Sequence, residues 1–338
     1  KGVPGNLPVD FAKARFTGKF EEPKPDLATA RREAAWERWI GFDTELRIPE
    51  ILGPNWAKAR LIVHAALKHF RLGELAFTNG SSFEPLGPRT SVACRLTETW
   101  TITHDCFELF AKYSYWHRAL KHAVKKRFTS YCKSKSWDEK VVNARLWRRY
   151  RFSDDAAYQT YCFKLHCIVT FVGGNRWSSV PKNNEKDRPI CLEPLCNMLV
   201  QRAVGLGLRK SIKNFFGVNL DTLADVHRRR ISDPKVATID LSDRSDAISI
   251  KLCNYLLPSR VFNKILDCRS DMTLGPDDCF YIVNKVSSMG NGFTFDLMTL
   301  VLMSLARSVD QDATVFGDDI ICHTSVAREL IDSLCTAG

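Results

Sequence analysis

ATVFGDDIICH, residues 313–323, sets two adjacent aspartates, Asp318 and Asp319, in an otherwise apolar run. Packing does not ask for two negative charges where the neighbours favour burial. ATVF (313–316) and DIICH (319–323) have the apolar, β-branched character of short strands, and Gly317-Asp318 between them tolerates a hairpin turn. The stretch therefore predicts an antiparallel hairpin with both carboxylates at or beside its tip. Two close carboxylates repel, and one is driven toward protonation unless a cation intervenes. A divalent ion supplies that cation, since hard cations prefer oxygen ligands.

Working outward, a third carboxylate, Asp240, ends the strand-like run VATI (236–239). A strand end delivers its side chain to a sheet edge with little positional freedom. On neighbouring strands, Asp240 and Asp318 could bridge two Mg²⁺, or Mn²⁺ in their place, roughly 3.5–4 Å apart. The plainer reading makes Asp240 the cap of a helix starting near residue 243, with Asp243 and Asp246 in its first turn; Asp243 is assigned to that role.

Between the acidic segments lies SSMGNGFTFD (287–296). Glycines on both sides of Asn291 let backbone approach a ligand closely, or simply form a turn before a helix beginning near Thr294. Upstream, VPKNNEKDRPI (180–190) puts Lys182, Lys186 and Arg188 on a polar loop leading into a strand. They suit a triphosphate, and Arg188 can also stack on a base. A solvated charge run is the ordinary alternative.

The 338 residues are 45% hydrophobic, enough for a substantial core and roughly two or three domains. The net charge of +11 is uneven: residues 236–338 hold 8 Lys/Arg against 14 Asp/Glu, the remainder 41 against 24. A basic body joined to an acidic segment suits a polyanion held near bound cations; it also fits a basic protein with a locally acidic surface. From His117 to Arg151, 12 Lys/Arg meet 2 acids, with Phe128, Tyr131, Trp137, Trp147 and Tyr150 interleaved. That stretch reads equally as a grip on phosphates and bases or as a solvated face whose aromatics turn inward.

The twelve cysteines form no regular framework. Cys162/Cys167 and Cys191/Cys196, with His166 nearby, lack the further ligands of a zinc site and read as free thiols in a reducing cytosol. LMTLVLMSLA (297–306) is too short for a bilayer, which needs about 20 residues, so no membrane association is expected. The chain, starting at Lys1, reads as part of a longer polypeptide. Its pattern predicts irregular backbone over 1–27 and helices at about 28–40, 56–71 (Asn55 as N-cap) and 105–128. A loop at 78–91, a strand at 166–172 and a long helix from Pro194 to Gly217 follow. A strand at 279–286 and a buried helix at 294–308 complete the expectation.

Taken in order, VPKNNEKDRPI, ATIDLSDRSDAIS, SSMGNGFTFD and FGDD resemble the RNA-dependent RNA polymerase of positive-strand RNA bacteriophages, the levivirus replicase subunit. The likeness runs from about Val180 to Gly338; the first 180 residues match less clearly. It implies an α+β right-hand polymerase. Residues 1–235 would be a basic N-terminal extension and fingers, residues 236–338 a palm on an antiparallel sheet flanked by helices, and the thumb would be largely absent. It implies RNA synthesis on an RNA template from ribonucleoside triphosphates. Asp240 and Asp318 would be the main Mg²⁺ ligands, with Asp319 assisting. Lys182, Lys186 and Arg188 would meet the incoming nucleotide. Ser288, Gly290 and Asn291 would help read the ribose and position the template, and Asp246 would sense the ribose, with Ser245 also well placed. Host elongation factors Tu and Ts would be partners in the cytoplasm of the infected bacterium.

Two departures stand out. Asp243-Arg244 occupies a place where relatives usually have small residues. The chain also stops where the family continues into the rest of the palm and thumb, with a later palm lysine. A reverse transcriptase is a second reading, opposed by polar Ser242, Ser245, Asp246 and Asn291 where a bulky group would exclude a 2′-hydroxyl. A third is an RNA-binding or host-factor-docking module with an incomplete catalytic centre, opposed by the three intact aspartates.

Overall fold

The computed structural model describes residues 25–46, 52–77, 81–83, 91–183, 185–241 and 246–336. Helices α1 (Ala28–Glu45), α2 (Pro54–Ala66) and α3 (Val92–Thr97) lead to β1 (Trp100–Ile102). Four helices follow, α4 (His104–Trp116), α5 (Arg118–Ser134), α6 (Glu139–Tyr150) and α7 (Ala156–Ile168), the last running straight into β2 (Val169–Phe171). The hairpin β3 (Asn175–Pro181) and β4 (Asp187–Leu192) precedes α8 (Leu195–Phe216) and α9 (Leu220–Arg230). Beyond β5 (Val236–Asp240) come α10 (Ile250–Leu256), α11 (Ser259–Cys268), β6 (Met272–Leu274) and β7 (Phe280–Ile282). Then α12 (Thr294–Val309), β8 (Thr314–Phe316), β9 (Asp319–His323) and α13 (Ala327–Cys335) close the described part. The fold mixes helix and sheet, as an α+β chain does.

Three small sheets are present among the described residues: parallel β1–β2, mixed β4-β3-β6-β7, and antiparallel β5-β9-β8. Helix α12 is apolar on nearly every face and is accordingly enclosed, by α2, α8 and β8. Helix α8 starts after Pro194 and ends at Gly217, whose φ of +69° is the left-handed stop that glycine adopts without strain. The main apolar core runs from Trp56 to Leu334 and draws on residues either side of 235. A second cluster, Ala35, Trp39, Trp177, Cys191 and Val283, binds α1 to the β3–β4 hairpin. There Trp36 stacks on Trp39 at 5.4 Å and meets Trp177 edge-on at 5.3 Å. Such pairs contribute about 0.5–1.5 kcal/mol each beyond their burial.

Several sequence expectations change in detail. The helix expected over 105–128 is broken at His117, whose ring accepts the Leu120 N–H and caps α5. The strand expected over 166–172 keeps only residues 169–171, because Tyr161 and Leu165 carry a helical buried stripe through to Ile168. Asn55 is not a cap: Gly53 precedes α2, and the Asn55 amide donates instead to Glu329 and Ser333 on α13. Among the described residues, the α-helix that follows β5 begins at Ile250 and is capped by Ser249. The strand expected over 279–286 stops at Ile282, because the Asp43 carboxylate of α1 takes the Asn284 and Lys285 N–H groups. Residues 1–24, most of 78–91 and 242–245, including Asp243-Arg244, lie outside the described residues.

Candidate active site

The β8–β9 hairpin forms as its sequence predicts. Phe316 pairs with Asp319, leaving Gly317 and Asp318 as a two-residue turn. The φ of Gly317 is +65°, and a Cβ there would lie 2.7 Å from the Phe295 ring, so the turn requires glycine. Its N–H donates to Thr299 Oγ1 at 3.0 Å, which ties the turn to α12. Next to β9 lies β5, in a register that sets Asp240 directly opposite Asp319. Partial desolvation, then the charges of Asp318 and Asp240, hold the Asp319 carboxyl above its usual range. Excess negative charge on an all-oxygen donor set fits a hard divalent cation. Among the described residues, no three carboxylate, imidazole or thiol side chains are already clustered as an ion's ligands.

A cleft of about 270 Å³ opens beside these residues, lined by Asp318, Asp246, Lys182, Arg188, Gly290 and Asn291, with Arg38 and Thr294. Residues far apart in sequence thus meet at one place. Lys182 and Arg188 come from the two sides of the β3–β4 hairpin, whose tip is closed by the Lys182 N–H donating to the Lys186 carbonyl at 2.9 Å. The Lys186 side chain is exposed on that tip and does not line the cleft. Ser288 is buried behind the loop and accepts the Trp39 indole N–H at 3.1 Å.

The 289–292 loop is held tightly. Gly290 has a φ of +106°, and a Cβ would lie 2.2 Å from the Cys191 carbonyl oxygen. The Cys191 N–H donates to the Met289 carbonyl, zipping the loop to β4. Beneath it, the buried Glu193 carboxylate accepts from Asn175, Gln201 and Ser270, and from Asn291 at 3.4 Å. Gln201 in turn accepts the Gly292 N–H. Across the loop, a second cleft of about 490 Å³ is lined by Arg95, Arg202 and Arg209.

Sequence reading missed three parts of this assembly. Glu193 carries no local motif. Asp43 and Arg38 reach the site from α1, about 150 to 240 residues away in sequence. Lys285 did leave a signal, a lone cation in the apolar run CFYIVNKV. It is almost wholly buried, lies 3.9 Å from both Asp43 and Asp246, and donates to the Trp39 carbonyl at 2.9 Å. Burial lowers its pKa, against the pull of Asp246 and Asp43. Asp246 thus enters the cleft with its charge already opposed from behind.

The model of the family described as RNA replicase, beta-chain matches residues 108–338. The chain belongs to this family. Among curated relatives of this replicase family member, the RNA-directed RNA polymerase subunit beta of Escherichia virus Qbeta is 28% identical over 353 residues, covering 97% of this chain and 53% of that one. The corresponding subunit of Enterobacteria phage SP is 40% identical over 169 residues, covering 47% of this chain and 29% of that one. The beta chain from Escherichia phage MS2 is 32% identical over 190 residues, covering 53% and 33%. The chain thus spans about half the length, or less, of the curated relatives it matches. Among solved structures, an insertion-loop deletion mutant of a human picobirnavirus RNA-dependent RNA polymerase gives a TM-score of 0.36 at 14% identity, over 49% of this chain and 39% of that one. That likeness is too slight to place any element. No described helix is long and apolar enough to cross a membrane.

Proposed function

We propose that this chain carries the nucleotidyl-transfer centre of an RNA-directed RNA polymerase that copies a phage RNA genome. The observation that carries the reading is the convergence of Asp318, Asp246, Lys182, Arg188 and Asn291 on one cleft, beside the Asp240–Asp319 pair. In this reading residues 1–235 are N-terminal extension and fingers, and 236–338 are palm.

Lys182 and Arg188 hold the triphosphate of an incoming ribonucleotide, Arg188 offering a planar fork and Lys182 a point charge. Lys186, exposed on the hairpin tip outside the cleft, adds positive charge to its approach. Asp246 and Asn291 meet the ribose, and polar groups there suit a 2′-hydroxyl, which favours ribonucleotides over deoxynucleotides. Ser288 acts from behind, supporting the loop through Trp39. The 3′-hydroxyl of the primer or initiating nucleotide attacks the α-phosphate, and pyrophosphate leaves. Asp240 and Asp318, with Asp319 assisting, are the residues that would hold Mg²⁺ or Mn²⁺. Bound there, the ions would supply Lewis-acid charge at the reacting oxygens. The chain's own contribution is orientation: a turn pinned by α12, a loop zipped to β4 and an acid backed by Lys285.

Family membership supports RNA template and product as partners, host elongation factors Tu and Ts as accessory proteins, and the infected bacterium's cytoplasm as the place of action. The other reading is a catalytically incomplete RNA-binding or host-factor-docking module; the chain spans about half the length, or less, of the curated relatives it matches. Incorporation of labelled ribonucleotides on an RNA template, with the chain extended to its relatives' length and host factors present, decides between them. Mg²⁺-dependent incorporation that Asp318→Asn abolishes supports the polymerase. No incorporation by a folded, RNA-binding parent protein overturns it.

A further inference from the structure

Helix α5 buries one stripe, Leu120, Val124, Phe128 and Cys132, and α6 buries Leu146 alone. Most of the remaining residues of both helices are exposed, and cations dominate them. Arg127 aside, none of the 12 Lys and Arg between His117 and Arg151 is ion-paired among the described residues. Like charges one helical turn apart, such as Arg145 and Arg149, destabilise a helix, so this concentration is unfavourable without an anionic partner.

Aromatic rings stand among these charges. Trp147 is 61% exposed and Phe152 87%. The Arg151 guanidinium lies over both rings, 5.4 Å from the Trp147 centroid and 4.5 Å from the Phe152 centroid. Rings interleaved with arginines stack bases while the arginines take phosphates. A protein partner or a bilayer would call instead for continuous apolar area, and here the rings are separated by charge.

We infer that the outer face of α6 and the turn that follows it, centred on Trp147, Arg151 and Phe152, is a second binding site, for single-stranded RNA, separate from the cleft. Helices α5 and α6 pack chiefly on α4 and α7, whereas the cleft is built from the β3–β4 hairpin, the 289–292 loop, the start of α12 and the β8–β9 turn. The choice of RNA as the polyanion rests on the polymerase reading; the site itself rests on charge and exposure.

The test is binding of a fluorescent, unstructured 15-nucleotide RNA to the 338-residue chain in EDTA, where no synthesis is needed. Trp147→Ala with Phe152→Ala is expected to weaken RNA binding about tenfold or more while leaving dextran sulfate binding unchanged, since stacking needs bases. Trp147→Tyr restores most of the Trp147 contribution. Arg145→Gln with Arg148→Gln and Arg149→Gln lowers the slope of log K against log salt by about 2, at about 0.7 per single-strand phosphate contact. Photocrosslinked RNA maps to residues 145–152. All these side chains are exposed, so thermal midpoints stay near the parent value. Unchanged RNA affinity in both variants overturns the inference, as does an equal loss of dextran sulfate binding in the aromatic variant. A failed polymerase reading would show as absent synthesis and leave this binding result interpretable.

Discussion

Asp240 and Asp319 face each other across the β5–β9 ladder, one residue from the turn that carries Asp318. Facing carboxylates disfavour the ladder unless a cation is shared. Mg²⁺ should therefore stabilise the chain, by about 2.7 kcal/mol at a hundred times its dissociation constant. Thermal unfolding with and without Mg²⁺ reads this directly. Asp240→Asn with Asp318→Asn should remove the Mg²⁺ dependence and, in the extended enzyme, reduce incorporation by about a hundredfold or more.

Gly290→Ala should damage the loop. The residue is in a conformation that L side chains rarely adopt, and its new methyl would meet the Cys191 carbonyl. The expected cost is about 1–3 kcal/mol, measured by urea unfolding. Displacing Asn291 from the cleft should also raise the KM for nucleotide in the extended enzyme.

Lys285→Met should be among the most damaging single changes away from the aspartates. It leaves Asp43 and Asp246, both buried, without their shared cation. Breaking a buried ion pair from one side costs about 3–5 kcal/mol. Adding Asp43→Asn and Asp246→Asn to Lys285→Met should recover part of the loss, and a denaturant series on the set of variants checks it.

Glu193→Gln changes one atom and should still be felt. Both carboxylate oxygens accept hydrogen bonds from side chains that act there as donors, Asn175 and Asn291 on one and Gln201 and Ser270 on the other. A glutamine must turn its own N–H₂ toward one of these pairs. The penalty should be about 1–3 kcal/mol, visible in the urea midpoint, and more severe than for Glu185→Gln on the exposed hairpin tip.

His227 gives a pH dependence. It is buried, bonded through Nε2 to Thr314 of β8, and held below its ordinary value of 6.5 by desolvation and then by Arg230. The unfolded imidazole takes up a proton at higher pH than the folded one. Its contribution to stability is therefore present above about pH 7 and lost as pH falls through 6.5 toward the folded value. Urea midpoints at pH 7.5 and 5.5 should differ less in His227→Gln than in the parent.

The sequence alone determined the local pieces. Gly317-Asp318-Asp319 between two apolar runs predicted the hairpin that forms, and Pro194 and Gly217 delimit a helix by their own backbone chemistry. The apolar run at 294–309 had to be enclosed. These outcomes rest on side-chain and φ preferences within a few residues, which a linear reading captures. The tertiary structure decided which pieces meet. That Asp43, 242 residues before Lys285, would end a strand and share that lysine with Asp246 is set by how α1 packs through Trp36 and Trp39. That Glu193 would carry the Asn291 loop, and that Lys182 but not Lys186 would line the cleft, follows from register and burial. Such pairings have no periodicity or spacing in the chain. They arise because buried polar groups must find partners, and only the folded core fixes which ones are within reach.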